Sequence, residues 1–361
     1  MYGQSRKGAV MKKILLVGGA GYVGSVLSRE LLDRGYAVRI LDRLYYGDEG
    51  IRSIRDSVDL VIGDMRAAPQ EVFDGVDAVI NVGGLSNDPQ AEYNPEANYQ
   101  MNTVASVELA RQALDAGVYR YVFASTCSIY DTGMGSGAQD IVQDEESEVN
   151  PRAAYSSSKY LAERGLLGVL EDNADFCPVI LRKGTIYGFS PRMRYDLVVN
   201  TFVKHALANG YVILHCGGEI WRPLVDIHDA ARAYIACVEA PADLVRGEIF
   251  NVSKDNFRIS ELALRVRSAF RALGKDFGIK SDYKYRASRN YRVSGEKAAR
   301  ILGFVPQVSV EDSVADAIDQ IYTHGYDDFD NPRYYNIQWM RILEEARDIV
   351  GRAGGLFDSP S

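Results

Sequence analysis

Lys13-Ile14-Leu15-Leu16-Val17-Gly18-Gly19-Ala20-Gly21-Tyr22-Val23-Gly24 joins an apolar run directly to a glycine-rich turn. Ile14 to Val17 carries no polar residue, as a short parallel strand covered on both faces requires. Gly18 permits the tight turn, Gly21 lets backbone approach a pyrophosphate, and Gly24 lets a helix pack close on the strand. The residues from about Tyr22 to Arg34 then read as a helix, stopped by Gly35. Its first turn, with Tyr22 and Val23, offers free N–H groups and a positive dipole end to an anion. A glycine turn by itself can be no more than a strand–helix corner, so its surroundings matter.

Outward from that stretch the pattern repeats. Apolar runs recur at Val38–Leu41, Leu60–Ile62, Ala78–Val82, Tyr121–Ala124 and Val179–Leu181. Helical stretches lie between several of them, notably Val104–Ala116 and Ala154–Leu170. Strands alternating with helices imply right-handed crossovers, hence an α/β fold with a Rossmann-type, doubly wound parallel sheet. Beyond about Gly188 the rhythm changes. A helix near Leu197–Ala208, a strand pair within Val212–Ile227, and helices from Ser260, Val310 and Asn336 predict a smaller, mixed α/β C-terminal domain. The expected division is 11–188 for the nucleotide-binding domain, with later segments returning to it, and 189–361 for the substrate domain.

Asp42 ends the second strand about 20 residues beyond the glycines, where a carboxylate can accept both hydroxyls of an adenosine ribose. That carboxylate would repel a 2′-phosphate, which favours NAD over NADP. Arg43 keeps the alternative open, since an arginine there can receive the phosphate. Asp64 and Met65, after the third strand, fall at the adenine end. Val82, Gly83 and Gly84, after the fourth, fall at the cofactor's middle, because ligands sit at the carboxyl ends of parallel strands.

Tyr155-Ser156-Ser157-Ser158-Lys159 places a phenol and an ammonium on one helix face, and Thr126 ends the fifth strand. A tyrosine acting as base near neutral pH must lose about three pKa units, roughly 4 kcal/mol. The Lys159 ammonium and a positive nicotinamide ring both favour phenolate, and Thr126 can hold the reacting oxygen. An isolated Tyr–Lys pair on a helix is commonly a surface feature. Here it follows a glycine turn and a strand-end hydroxyl in the order an enzyme needs.

With GGAGYVG, Asp42, FASTCSIYD, YSSSK, LRKGTIYG and WRPLVDIHD in view, the chain resembles the extended short-chain dehydrogenase/reductases. The branch is that of NAD-dependent nucleotide-sugar epimerases and dehydratases, and the likeness runs from about Lys12 to Ile321. It implies Thr126, Tyr155 and Lys159 as catalytic residues, with Tyr155 and Lys159 also touching the cofactor. It puts Lys183 near the nicotinamide amide, where Pro or Tyr is usual. It puts Leu85, Thr126, Thr185, Asn200 and Arg222 on the substrate side, Arg222 gripping a diphosphate with its fork of donors. Arg289 is a second candidate clamp, and Arg192 and Arg194 lie in a basic segment facing either substrate or solvent. The resemblance also implies a nucleoside diphosphate sugar as substrate and a homodimer built through two helices per subunit.

Departures from that pattern narrow the reaction. Members that eliminate water carry an acidic pair directly after the catalytic Thr, and decarboxylases usually keep a glutamate there. This chain has Cys127 and Ser128. The 3,5-epimerase/reductases place a cysteine at the Ser128 position, so Cys127 is one residue early and reads as buried filler. The expected activity is a nucleotide-sugar epimerase acting at C4. The rivals are a 4-ketosugar reductase or sugar dehydrogenase, and a non-catalytic NAD(H)-binding regulator, against which the intact Thr126, Tyr155 and Lys159 argue.

The whole-chain properties agree. The 361 residues carry 41 Lys and Arg against 49 Asp and Glu, a formal charge of −8, with no basic block for a nucleic acid. No apolar run nears the ~18–20 residues of a membrane span. Residues 1–10 lack the apolar core of a signal peptide, and Met11 is a second candidate start. The separated cysteines 127, 177, 216 and 237 read as free thiols in a cytoplasmic protein. No metal is expected.

Overall fold

The computed structural model describes residues 12–131, 141–284 and 289–353; the expectations placed on residues 1–11 lie outside them. The chain runs through β1 (Lys13–Val17), α1 (Tyr22–Asp33), β2 (Ala37–Asp42), β3 (Val58–Ile62), β4 (Ala78–Asn81), α2 (Asp88–Tyr93), α3 (Pro95–Tyr99), α4 (Ala105–Asp115) and β5 (Arg120–Thr126). Next come β6 (Val142–Gln143), α5 (Ala154–Asp172), β7 (Cys177–Lys183), β8 (Thr185–Tyr187), α6 (Val198–Asn209), β9 (Tyr211–His215), β10 (Trp221–Asp226), α7 (Ile227–Glu239), α8 (Ala242–Val245) and β11 (Ile249–Val252). The last part holds β12 (Asp255–Arg258), α9 (Ile259–Ala272), β13 (Gly278–Asp282), β14 (Arg292–Val293), α10 (Glu296–Leu302), α11 (Val310–His324) and α12 (Asn336–Ala353).

Seven strands, all parallel, form the central sheet in the order β11-β7-β5-β4-β1-β2-β3. β1 shows why its sequence needed no polar residue. Ile14 and Leu16 enter one core with Leu27 and Leu31 of α1 and Val238 of α7. Leu15 and Val17 enter the other, with Leu109 of α4 and Leu166 and Val169 of α5. Strand order reverses between β1 and β4, so the loops leaving them diverge and open a crevice at the strands' carboxyl ends.

The stretch within Val212–Ile227, expected as a strand pair, corrects that reading. β9 and β10 do not pair with each other. β9 pairs in parallel with β13, and β10 lies between β8, parallel, and β12, antiparallel. Cys216, Gly217 and Gly218 all take positive φ, at 53°, 64° and 77°, and this left-handed run carries the chain out of the β9 register. The helix expected over Val104–Ala116 is preceded by a π-type turn, Gln100–Val104, that reorients the chain into α4. Among the described residues no helix is long and apolar enough to cross a membrane.

One ion pair fastens α5 to the sheet. Glu163, 1% exposed, faces Arg182 of β7, with Arg182 Nη2 2.6 Å and Nε 3.1 Å from its carboxylate oxygens. Ser125 of β5 also donates to Glu163, and Arg182 Nη1 donates to the Tyr130 hydroxyl at 2.7 Å. Removing one partner leaves the other charged and buried, at a cost of about 3–5 kcal/mol. Glu163→Ala should lose about that much stability in chemical denaturation, and adding Arg182→Met should recover part of it. Equal stability for Glu163→Ala and the unmodified protein would show the pair to be incidental.

Candidate active site

The glycine turn is shaped by contact. Gly18 has φ +79°, and a Cβ there would lie 2.8 Å from Gly83 Cα, so the loops after β1 and β4 touch through backbone. A Cβ on Gly24 would lie 2.1 Å from Gly18 O, while Gly21, directly before α1, meets only Gly18 O at 3.2 Å. Asp42 closes the turn from β2: its Oδ2 accepts from Ala20 N at 3.0 Å and its Oδ1 from Leu44 N at 2.8 Å. Each oxygen keeps capacity for a further donor, so the residues fit an adenosine ribose above a backbone cradle. Burial pushes the Asp42 carboxyl up, and the backbone donors pull it back.

Arg43 is engaged within the fold. Its Nη1 lies 2.6 Å from Asp64 Oδ2 and its guanidinium covers the Tyr45 ring. Asp64 is shared with Arg66, and Met65 is buried against the sheet.

From Tyr22 and Val23 a cavity of about 260 Å³ runs past Val82, Gly83, Gly84 and Leu85 to Thr126, Tyr155, Lys159, Lys183 and Thr185. Thr126 ends β5 and is the register partner of Lys183 on β7. The Tyr155 phenol is hydrogen-bonded to Thr126; burial pushes it up to about 12, and the Arg194 charge acts against that rise. Lys159 lies 4% exposed, its Nζ 4.8 Å from the Phe123 ring centre, and burial pushes it down to about 7. Without cofactor, therefore, Lys159 gives up its proton well before the phenol would. Arg194 is thus a second cation acting on Tyr155, beside the lysine the sequence suggests.

Two expected substrate residues are placed elsewhere. Asn200, 2% exposed, is spent inside the fold: Oδ1 accepts from Gly188 N, and Nδ2 donates to the Tyr22 hydroxyl and Arg194 O. Arg222 does not line the cavity either. It donates to the carbonyls of Trp221 and Arg289, bracing Arg289, which does line the cavity and pairs with Asp88.

The sequence also hid contributors. Arg194, 5% exposed, is held by Asp196 and by Ser86 Oγ at 3.1 Å, on the cavity wall. Ser86, Asn87 and Asp88 tie both arginines to the mouth of α2, with Asn87 donating to Asp196. Asn102, in the π-type turn, has a buried Oδ1 without partner. A Cβ on Gly84 would sit 2.2 Å from that oxygen and 3.9 Å from Lys159 Nζ. Only a turn that folds back from α3 brings it there, and nothing in Met101-Asn102-Thr103 signals that. The His228 ring contacts Glu30 and stays outside the cavity.

A family model described as the NAD dependent epimerase/dehydratase family matches residues 14–253. A putative UDP-glucose 4-epimerase of Methanocaldococcus jannaschii is 24% identical over 310 residues, 83% of this chain and 95% of that protein. A UDP-N-acetyl-alpha-D-glucosaminuronate decarboxylase of Bacillus cytotoxicus is 26% identical over 320 residues, 85% and 97% of the two chains. The solved UDP-glucose 4-epimerase of Thermotoga maritima, with UDP-glucose, shares the fold at TM-score 0.75 and 21% identity, over 86% of this chain and 99% of that one.

Asp42→Ala should weaken NAD binding by about 1.5–3 kcal/mol, the range for hydrogen bonds to a charged group, read by calorimetry; unchanged affinity would remove Asp42 from the cofactor site. A pH effect follows from Lys159. Its pKa falls on folding from 10.5 to about 7, so between those values the folded protein binds fewer protons than the unfolded chain. Stability of the cofactor-free protein should therefore rise with pH across that window, by at most about 1.4 kcal/mol per pH unit from this group. The penalty is complete below pH 7. Lys159→Met should flatten the rise in denaturation curves; an identical slope would place the charge elsewhere.

Proposed function

The chain belongs to the NAD dependent epimerase/dehydratase family, and from that premise we propose that this NAD-dependent enzyme epimerises a nucleoside diphosphate sugar at C4. The observation that carries the reading is the acid inventory of the cavity. Thr126, Tyr155 and Lys159 share its wall, but Cys127 and Ser128 follow Thr126, and the acidic side chain lining the cavity, Asp88, is tied to Arg289. Elimination needs a free acid and base beside the sugar; epimerisation through a ketone needs only Tyr155 and its supports. Cys127 offers no substitute, since its Sγ turns to Arg182 O at 3.0 Å and burial pushes the thiol far up.

Thr126 holds the C4 hydroxyl by a hydrogen bond, and Tyr155 takes its proton. Bound NAD supplies the acceptor for the C4 hydrogen and the donor that returns it. Arg194 and Arg289 grip the diphosphate, Arg222 setting the Arg289 backbone, while the sugar end turns between the Thr126 and Thr185 sides and presents its other face. Val104 and Leu161, exposed on the π-type turn and on α5, suit a homodimer packed through α4 and α5. Four separate thiols, three of them buried, suit a cytoplasmic enzyme.

Purified protein should convert a nucleotide hexose without added cofactor, with no steady change at the reduced-nicotinamide absorbance. Substrate deuterated at C4 should keep its label, because the same hydrogen returns. Tyr155→Phe should abolish conversion with NAD still bound. Product formed only in proportion to cofactor consumed would replace the epimerase with a ketosugar reductase.

A further inference from the structure

A second cavity, of about 240 Å³, lies away from the site around Tyr155, and its lining shares no residue with that of the first. Three stretches far apart in sequence build it. Tyr46, Glu49 and Arg52 follow β2, Arg192 follows β8, and Arg333 and Tyr334 follow α11. The stretches meet closely: a Cβ on Gly50 would lie 3.2 Å from Arg192 Cβ, and Arg333 Nη1 lies 2.8 Å from Glu49 Oε1. The cavity therefore sits on the seam between the nucleotide-binding part of the chain and its C-terminal segment.

Arg192 is its unusual member. It is 6% exposed, yet among the described residues no carboxylate pairs with it and its Nε has no hydrogen-bond partner. Its Nη2 donates to Asn336 Oδ1 at 2.5 Å, and its guanidinium lies 3.7 Å from the centre of the Tyr46 ring. The acids whose charge reaches it are committed elsewhere. Asp196 holds Arg194 at 2.8 Å, and Asp42 accepts from Ala20 N and Leu44 N. A ring face and one amide oxygen offset only part of the cost of burying a cation, which proteins ordinarily meet with a paired anion. The lining as a whole has the same bias. Its one acid, Glu49, is shared between Arg333 at 2.8 Å and Arg52 at 3.6 Å, so three guanidiniums face a single carboxylate. Asp48, which also pairs with Arg52, and Asp327 and Asp328 lie outside the lining.

We propose that this second cavity binds a small phosphorylated ligand, with Arg192 as its buried anchor and Arg333 and Arg52 at its rim. A phosphoryl group carries the double charge that three guanidiniums against one carboxylate call for, and it accepts the forked donors of arginine. Tyr334 offers a ring to the organic part of such a ligand. Because Arg192, Arg52 and Arg333 come from the three separate stretches, one bound phosphate ties the C-terminal segment to the turn after β2. The tie reaches the first cavity as well. Asn336 accepts from Arg192 and donates to Ser86 Oγ at 2.8 Å, and Ser86 Oγ accepts from Arg194 Nη1 at 3.1 Å.

The test needs no turnover, so its outcome is independent of the C4 reading. The intact protein, saturated with NAD⁺ to fill the cofactor groove, is titrated with inorganic phosphate, glucose 1-phosphate and adenosine 5′-monophosphate, by calorimetry and by the shift each produces in the unfolding midpoint. At least one should bind, raising the midpoint by about 5 °C at a hundredfold its dissociation constant. The three arms separate free phosphate from a sugar phosphate and a nucleotide. Arg192→Met should weaken binding by about ten- to a hundredfold, the loss of a hydrogen-bonded charge, and Arg333→Gln by about fivefold. Arg289→Gln, in the first cavity, should leave the shift in place. The readout is the difference that ligand makes, so a variant that is merely less stable still reports. Should Arg192→Met fail to fold, Arg333→Gln and Arg52→Gln, both on exposed side chains, decide: weakened binding supports the site and unchanged binding sinks it. No shift with any probe overturns the proposal. So does a shift that NAD⁺ abolishes, or one that Arg289→Gln removes while Arg192→Met keeps it.

Discussion

The strands and the helix that carry Thr126, Tyr155 and Lys159 meet on one buried ion pair. Glu163 is buried where β5, β7 and α5 converge, and it receives Arg182 and Ser125 at once. Isolated carboxylates are not left in such places, because desolvation without compensation costs several kcal/mol. The pair therefore fixes the spacing between helix and sheet, and with it the distance from Thr126 on β5 to Tyr155 and Lys159 on α5.

The same convergence explains what could be read from sequence. β1, the glycine turn, Asp42 and the Tyr155–Lys159 spacing are local patterns: strand burial, a φ > 0 corner and one helix face each lie within a few residues. Strand ends were placed within a residue or two for the same reason. Asn200 and Arg222 were assigned by correspondence, and no local pattern tests such an assignment. Asn200 finds Tyr22 178 positions away, and Arg222 finds the Arg289 carbonyl 67 positions away. The pairing of β9 with β13 is equally remote in sequence, and a run of alternating apolar residues carries no label for its partner. Asn102 was hidden differently: a π-type turn breaks the helical period that made the stretch look like ordinary α4 lead-in.

Arginine placement links the fold to its ligand class. Arg194 and Arg289 are each paired to an aspartate, Asp196 and Asp88, so neither presents a naked charge to the cavity. A paired guanidinium retains unused N–H donors, since it has five and a carboxylate occupies two or three. Such a group can add a phosphate oxygen without first losing its partner. Ser86-Asn87-Asp88 ties both pairs to the start of α2, so this side of the cavity is set by the β4 loop as well as by the C-terminal region.

That geometry bears on the ketone intermediate of the proposed reading. An acid placed after Thr126 would face Arg182 and Lys183 and would add to Glu163 a second buried anion close by. With Cys127 and Ser128 in those positions, the carboxylate on the cavity wall is Asp88, and Arg289 holds it. A ketone reached through Tyr155 asks for no further acid, which is why the proposed C4 reading fits the residues that follow Thr126.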